Sequence, residues 1–358
     1  MKYFVDKNSR TPAYMQLYTQ LRADIASGAI AAGDRLPSKR VLAAETGVSV
    51  ITVEHCYALL ADEGYAEARE RSGYFAAEGA ACLPPIKPVS VESMKAEDIP
   101  PDFPFSVYAK TMRRVITECG SGILSRGENM GCISLRRAIS DYLMRSRGIK
   151  ASPEQIVIGS GAEYLYSLVL PLCGRDRRIA LENPSYEKIR RVYESAGGEC
   201  EMLTLGARGI ESEELERCNA GILHVTPYHS YPSGVTATAE KRREYASWAE
   251  KTGAYIVEDD YDSEFSAKPV ETVYSICPDR VIYVNSFSKT VAPSIRTGYM
   301  VLPESLALQY RERLGFLSCT VPVFEQLVLT EFITTGDMER YINRRRKALR
   351  QNPRIGVL

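Results

Sequence analysis

The feature that most constrains the fold is an alternation of apolar runs and amphipathic segments from residue 103 onward. The runs are three or four residues long and rich in Val and Ile, which is typical of strands buried on both faces of a parallel sheet. Between them, apolar residues recur at helical spacing, as from Leu165 to Leu172. This alternation predicts an α/β fold with a mostly parallel sheet covered by helices on both faces. The predicted strands are 156–158, 178–181, 222–225, 255–258 and 281–284.

Polar motifs follow these predicted strands, at the points where the strands end. In open α/β sheets, ligands bind beyond the carboxyl ends of the strands. The sequence therefore predicts one ligand site along this edge of the sheet. The motifs are Gly159 to Glu163, Glu182 to Tyr186, Thr226 to Gly234, Glu258 to Asp262 and Ser286 to Lys289.

The residue types in these motifs match the chemical groups of pyridoxal 5′-phosphate (PLP). The amine of Lys289 can form a Schiff base with the aldehyde of that cofactor, and Asp259 can keep its ring nitrogen protonated. Tyr261 can donate to the phenolic oxygen of the ring, and Tyr186 can stack on its face. Hydroxyls, a guanidinium and the N–H groups that open a helix can hold its phosphate. These phosphate candidates are Ser286, Ser288, Arg296, Gly161, Ala162 and Glu163.

Each motif is a weak signal when it is taken alone. A lone Ser-x-Ser-Lys is more often a surface turn, and Asp259-Asp260 alone fits a solvated strand end. The prediction of a PLP site rests on their combination, in this order and each after a predicted strand.

The first 76 residues have a different pattern, with three short helices followed by a β-hairpin. Apolar residues repeat at helical spacing from Tyr14 to Ile25, and Ser38 and Ser49 are suitable N-caps for the next two helices. Two short strands, joined by residues 71–73, follow Gly64. This order predicts a winged helix-turn-helix, although periodicity alone fits a generic three-helix cap as well.

The residues of this segment resemble the GntR-type winged-helix domain, notably at 14–18, 33–40, 47–49 and 63–65. The resemblance implies binding to double-stranded DNA through the helix that begins at Ser49, with the hairpin as the wing. The residues that it implies for DNA contact are Ser38, Lys39, Arg40, Ser49, Thr52, His55, Arg69 and Arg71.

The charge of this segment predicts modest DNA affinity. The family commonly has arginine where this chain has Val50, and the helix offers Thr52, Glu54 and His55 but no lysine or arginine. Residues 1–76 hold nine basic and nine acidic side chains. Because attraction to phosphates supplies much of DNA affinity, we expect a dimer to be needed for tight binding.

A proline-rich segment, residues 77–102, separates the two patterns and is predicted to be an extended linker. The predicted domains are thus 1–76, which binds DNA, and 103–358, which binds PLP. Together they resemble the MocR/GabR family of bacterial regulators, in which a GntR-type head precedes a fold-type I, aspartate aminotransferase-like domain. The motifs that carry this resemblance are Glu182 to Tyr186, His229 to Gly234, Glu258 to Phe265 and Ser286 to Lys289.

This resemblance implies a homodimeric transcriptional regulator that senses a small amino compound through PLP at Lys289, with Tyr231 in the cofactor site. A working aminotransferase with a vestigial DNA-binding head is the alternative, and a decayed gene product is a third. The family continues past the helix at 339–350 into a small domain whose arginine binds the substrate carboxylate, so the chain is expected to be truncated. It also usually has a tyrosine where this chain reads 124–129.

The composition agrees with a cytoplasmic protein that has no membrane span and no metal site. The formal net charge is zero, and no apolar run is long enough to cross a bilayer. The nine cysteines are scattered and are interpreted as reduced thiols, and the three histidines lack convincing metal-ligand spacing.

Overall fold

The computed structural model describes residues 3–78, 102–266 and 271–351. It divides the chain into two compact units, Met1–Lys95 and Ala96–Leu358. Most of the predicted linker 77–102 lies outside the described residues, as does the tail 352–358. Within the described residues, none of the helices has both the length and the apolar character that crossing a bilayer requires.

The first unit contains the predicted three helices and hairpin. Ser38 accepts a hydrogen bond from the Val41 amide at 3.3 Å, and Ser49 accepts one from the Thr52 amide at 3.1 Å, so both predicted N-caps form. Gly47 adopts φ +67°, a left-handed conformation that lets the second helix end and the third begin within a tight turn. The elements are α1 (Ala13–Ala26), α2 (Lys39–Thr46), α3 (Val50–Asp62), β1 (Ala66–Arg69) and β2 (Gly73–Ala76).

The second unit is built on a sheet to which its described residues contribute eight strands. Their spatial order is β3-β10-β9-β8-β7-β4-β5-β6. Neighbours run parallel except for β10, which is antiparallel to β3 and β9, and β6, which is antiparallel to β5. The predicted mostly parallel sheet is therefore confirmed. The strands are β3 (Ile156–Gly159), β4 (Ile179–Asn183), β5 (Cys200–Gly206), β6 (Gly209–Ile210), β7 (Ile222–Val225), β8 (Tyr255–Asp259), β9 (Val281–Ser286) and β10 (Gly298–Val301).

Helices cover both faces of this sheet. Along β8, Ile256 packs in the cluster that includes α5, α9 and α13, whereas Val257 packs in the cluster that includes α6, α7 and α12. Alternate side chains of a strand point to opposite faces, which explains the uninterrupted apolar runs in the sequence. The helices are α4 (Phe105–Cys119), α5 (Ile133–Arg147), α6 (Ala162–Cys173), α7 (Glu187–Ser195), α8 (Ser212–Arg217), α9 (Ala239–Thr252), α10 (Val273–Ile276), α11 (Phe287–Thr290), α12 (Glu304–Arg313), α13 (Val323–Thr334) and α14 (Asp337–Gln351).

Three strands, β5, β6 and β10, were not predicted from the sequence. β5 and β6 lie at one end of the sheet, and β5 is only half-buried, so it lacks the apolar run of a central strand. β10 is fully buried, but it begins with a glycine directly after the polar segment around Arg296, so its start is not marked in the sequence.

Candidate functional site

Strand pairing brings the predicted site motifs to one edge of the sheet. Gly298, the first residue of β10, pairs with Gly159 at the end of β3 and with Ser286 at the end of β9. Asp259, the last residue of β8, pairs with Val284 of β9. The carboxyl ends of β3, β8 and β9 and the start of β10 therefore meet, which is the edge where ligands bind in such sheets.

The predicted phosphate residues come together around Arg296. One guanidinium nitrogen, Nη1, donates to Ser288 Oγ at 3.3 Å, and Ser288 Oγ donates to the Ile295 carbonyl at 2.8 Å. Gly161, which precedes α6, adopts φ +94°, and a Cβ there would lie 2.8 Å from Arg296 Nη2. Glycine thus lets the guanidinium approach the first turn of α6, where backbone N–H groups and the helix dipole favour an anion.

The side chain of Glu163 has a role that the sequence did not predict. Arg296 Nη2 donates to Glu163 Oε2 at 2.6 Å, and Lys188 Nζ lies 3.5 Å from Glu163 Oε1. The residue was predicted to offer its backbone N–H, yet its carboxylate holds the guanidinium. Because these side chains are half-exposed, the pair is weak and an incoming phosphate can compete for Arg296.

Asp259 is a buried carboxylate at the end of β8, only 6% exposed. Tyr166 hydrogen-bonds this carboxylate, while the Oδ1 atom has no hydrogen-bond partner among the residues that the structure describes. Burial raises the pKa of Asp259 to about 7, against the opposing effect of the Tyr166 hydrogen bond. An unpaired buried carboxylate is costly, so a cationic ring nitrogen suits this position.

Behind Asp259 lies a buried aromatic cluster. The ring of Tyr166 packs edge-on against His224, with centroids 4.9 Å apart, and Tyr193 Oη lies 2.9 Å from His224 Nδ1. Burial lowers the pKa of His224 to about 3, so this imidazole is neutral. The cluster fixes the hydroxyl that contacts Asp259 and contributes no competing positive charge.

Lys289 lies on α11, directly after β9, and is exposed at the same edge. Burial raises the pKa of Asp262, and the positive charge of Lys289 opposes that rise. Asp262 Oδ2 also lies 3.4 Å from His229 Nδ1. Sequence reasoning missed Asp262 and His229 as site residues, although Asp262 stands in the same motif as Asp259.

The predicted aromatic residues lie beyond β4, β7 and β8. Tyr186 and Tyr231 pack edge-to-face with centroids 5.8 Å apart, and both are exposed. Tyr261 Oη donates to the His229 carbonyl at 2.7 Å. His229 itself has φ +51°, a left-handed backbone conformation that is uncommon for a non-glycine residue. The loop after β7 therefore contains a tightly turned backbone at His229.

Two further buried groups tie the loops of the site together. Ser230 Oγ donates to Glu182 Oε2 at 2.6 Å, which joins the loop after β7 to the end of β4. Burial raises the pKa of Glu182 to about 8. Sequence analysis did not single out this pair, but an acidic residue within an apolar strand was the available signal.

In the first unit, two predicted DNA-contacting hydroxyls, Ser38 and Ser49, already cap helices. Lys39 is ion-paired with Glu54, and Arg69 lies over the Phe75 ring at 4.4 Å. A groove of about 490 Å³ runs between the hairpin and the segment that leads into α2, and its wall includes four basic residues. One of them, Arg35, was not among the predicted DNA-contacting residues. The four are Arg35, Lys39, Arg69 and Arg71.

The remaining predicted DNA residues face solvent. Arg40 and His55 are exposed, and Thr52 is partly exposed, with its Oγ1 atom 2.8 Å from Ser49 Oγ. The His55 ring packs edge-on against Tyr14, with centroids 6.0 Å apart. No cluster of three or more metal-binding side chains is found in the described parts of either unit.

Both units match known protein families. Residues 13–75 match the model of bacterial regulatory proteins of the gntR family, and residues 99–354 match the model of class I and II aminotransferases.

The second unit also resembles solved aminotransferases. An archaeal alanine:glyoxylate aminotransferase aligns with TM-score 0.63 and 20% identity over 69% of this chain and 64% of its own. LysN of Thermus thermophilus, an α-aminoadipate aminotransferase, aligns with TM-score 0.62 and 23% identity over 72% of this chain and 67% of its own.

Relatives with both domains are helix-turn-helix (HTH) regulators. YhdI of Bacillus subtilis, an HTH-type transcriptional regulator, is 32% identical over 97% of this chain and 78% of its own length. PdxR of Corynebacterium glutamicum, a regulator of pyridoxine biosynthesis, is 30% identical over 95% of this chain and 77% of its own. MocR of Rhizobium meliloti, a probable regulator of rhizopine catabolism, is 29% identical over 99% of this chain and 78% of its own length. The chain therefore belongs to the MocR-type family of bacterial HTH transcriptional regulators, in which a gntR-type domain precedes a class I and II aminotransferase domain.

Proposed function

We propose that this regulator holds PLP at Lys289 and changes its affinity for DNA when a small amino compound reaches the cofactor. The observation that carries the proposal is Asp259, whose buried Oδ1 atom lacks a hydrogen-bond partner within the described residues. It stands at the same sheet edge as Lys289, Gly161 and Arg296. The set offers an amine, an anion for the ring nitrogen and a cradle for the phosphate.

PLP supplies an aldehyde that reacts with amines and a protonated ring that withdraws electrons. Lys289 is the amine that would hold it covalently, and Asp259 is the anion that would keep its ring nitrogen protonated. We assign the remaining contacts by position along the edge. The phosphate residues are Ser286, Ser288, Arg296 and the backbone of Gly161, Ala162 and Glu163, and the ring residues are Tyr186, Tyr231 and Tyr261.

Asp262 would hold the Lys289 side chain when its amine is not bonded to the cofactor. Asp262 is the carboxylate whose pKa responds to the positive charge of Lys289. His229, which approaches Asp262 Oδ2, helps to orient that carboxylate. A change in the state of Lys289 would thus alter its charge pairing with Asp262, beside the loops that follow β7 and β8.

Sensing requires the amino compound to favour one of two conformations of the chain, because a ligand shifts an equilibrium only by its differential affinity. We propose that the chain acts as a homodimer, with each gntR-type unit on one half-site, and that it works in the cytoplasm, where its DNA is. Two half-sites would compensate for the balanced charge of residues 1–76.

Footprinting of the purified chain on the DNA upstream of its own gene tests this proposal. With PLP present, we expect a protected region that small amino compounds strengthen or weaken. The same preparation, incubated with amino acids and 2-oxo acids, should show no sustained transamination. Sustained turnover without a footprint would replace the regulator with an aminotransferase.

A further inference from the structure

The first two turns of α3 expose one charged group that can read a base. Helical spacing puts Ile51, Glu54, His55 and Ala58 on the solvent side, and all four are exposed. Ile51 and Ala58 are apolar, and His55 already packs against Tyr14. The face contains no lysine or arginine, the residues that read guanine most often. Glu54 is therefore the charged hydrogen-bonding group of these first turns, because the other acid of the exposed face, Asp62, is the last residue of α3.

Glu54 is also paired with Lys39 of α2, a residue in the basic groove. The Lys39 Nζ atom lies over the Tyr74 ring, 5.6 Å from its centroid, so the ammonium is held at the groove by two neighbours. The side chains of Lys39 and Glu54 are 32% and 52% exposed. An exposed pair of this kind contributes little and exchanges partners readily.

We infer that Glu54 selects cytosine in the major groove, and that Lys39 becomes free to bind a phosphate when it does so. This inference rests on the proposed DNA binding and adds the base that the protein reads. An ionised carboxylate only accepts hydrogen bonds. In the major groove, donors are presented by cytosine N4 and adenine N6, and adenine places the N7 acceptor beside its donor. Cytosine is thus the base that Glu54 fits.

The Lys39–Glu54 pair makes the phosphate contact depend on the base. On cytosine, Glu54 turns to the N4 amino group and releases Lys39. On any other base, Glu54 keeps Lys39 neutralised and repels the DNA backbone. The pair therefore suppresses binding to unrelated sequences, which otherwise depends on lysine and arginine contacts with phosphates.

Selection from a random duplex library with the full chain tests the inference. Wild type should enrich cytosine at one position of the site, and replacing that cytosine should weaken binding by about tenfold or more. Glu54→Gln should shift the preference at that position from cytosine to adenine, because glutamine pairs with adenine N6 and N7. Glu45→Gln, an equal change of charge at an exposed position of α2, is the control and should leave the preference unchanged.

Glu54→Ala tests the link to Lys39. It should abolish the base preference at that position and tighten binding to unrelated DNA a few-fold at low salt, more than Glu45→Gln does. Equal tightening by both variants overturns the link, and an unchanged cytosine preference in either Glu54 variant overturns the base contact. Selective DNA binding with an unchanged preference would leave the proposed function intact. Failure of wild type to enrich any sequence would refute both proposals.

Discussion

Asp259 is predicted to make the cofactor-free chain less stable as pH rises. Burial raises its pKa from the ordinary 3.8 to about 7, so the folded state favours the protonated carboxyl. The stability that this group contributes is complete below the unfolded pKa and is lost as pH rises through the folded pKa. The difference between the two pKa values corresponds to about 4 kcal/mol, of which about 3 kcal/mol is lost between about pH 5 and about pH 8.

The variant Asp259→Asn removes this ionisation while keeping the shape of the side chain. Its free energy of unfolding, minus that of wild type, should increase by up to about 3 kcal/mol between about pH 5 and about pH 8. Urea unfolding can be followed by the fluorescence of Trp248, the single tryptophan of the chain, which is buried on α9. Burial also raises the pKa values of Glu182 and Glu258, which are present in both proteins. Their contributions cancel in the difference, except for the part of the Glu182 shift that comes from the charge of Asp259.

Asp141→Asn is the matched control, because Asp141 is exposed on α5. The free energy of unfolding of Asp141→Asn, minus that of wild type, should be the same at both pH values. The reasoning about Asp259 is refuted if Asp259→Asn and wild type lose stability equally as the pH rises. Such a result would mean that the carboxylate is solvated or paired in the folded chain.

Other substitutions test the remaining contacts. Lys289→Ala should abolish the near-visible absorbance of bound PLP, whereas Lys251→Ala, at an exposed position of α9, should retain it. Gly161→Ala should weaken PLP binding about tenfold or more, because φ +94° strains a residue with a Cβ and that Cβ would push away Arg296 Nη2, 2.8 Å from it. Unchanged affinity in a fluorescence titration would disprove the cradle. Arg296→Lys should also weaken PLP binding in that titration, since lysine cannot make paired hydrogen bonds to phosphate, and equal affinity would remove Arg296 from the site. Ser49→Ala should lower the free energy of unfolding of the first unit by about 1 kcal/mol through the lost N-cap, and an unchanged melting curve would count against it.

The sequence predicted the parts of the fold that follow from burial on both faces. The β7, β8 and β9 strands are almost entirely buried and begin with apolar runs, because each is covered by helices on two sides. The half-buried β5 lacks that signal, and β10 begins with a glycine directly after a polar segment, so its start is not marked in the sequence. Their places in the sheet are set by pairing with distant strands, which local periodicity does not encode.

The candidate site was predictable as a set of motifs but not as a set of contacts. Position after a strand, together with residue type, was enough to nominate Asp259 and Lys289. Arg296 was nominated by its guanidinium, seven residues beyond Lys289. The partners of these residues come from elements far away in sequence, such as Tyr166 of α6 for Asp259 and Glu163 for Arg296. Side-chain pairing of that kind depends on packing between elements, so it emerges only from the three-dimensional structure.

The most direct test of the central proposal is the affinity of the chain for its upstream DNA. It is measured with PLP at fixed concentration, with and without a small amino compound. Wild type and Lys251→Ala should show an affinity that changes when the amino compound is added. Lys289→Ala should bind the same DNA with an affinity that the amino compound does not alter. A response of equal size in Lys289→Ala would show that the signal does not pass through Lys289, and it would contradict the proposed function.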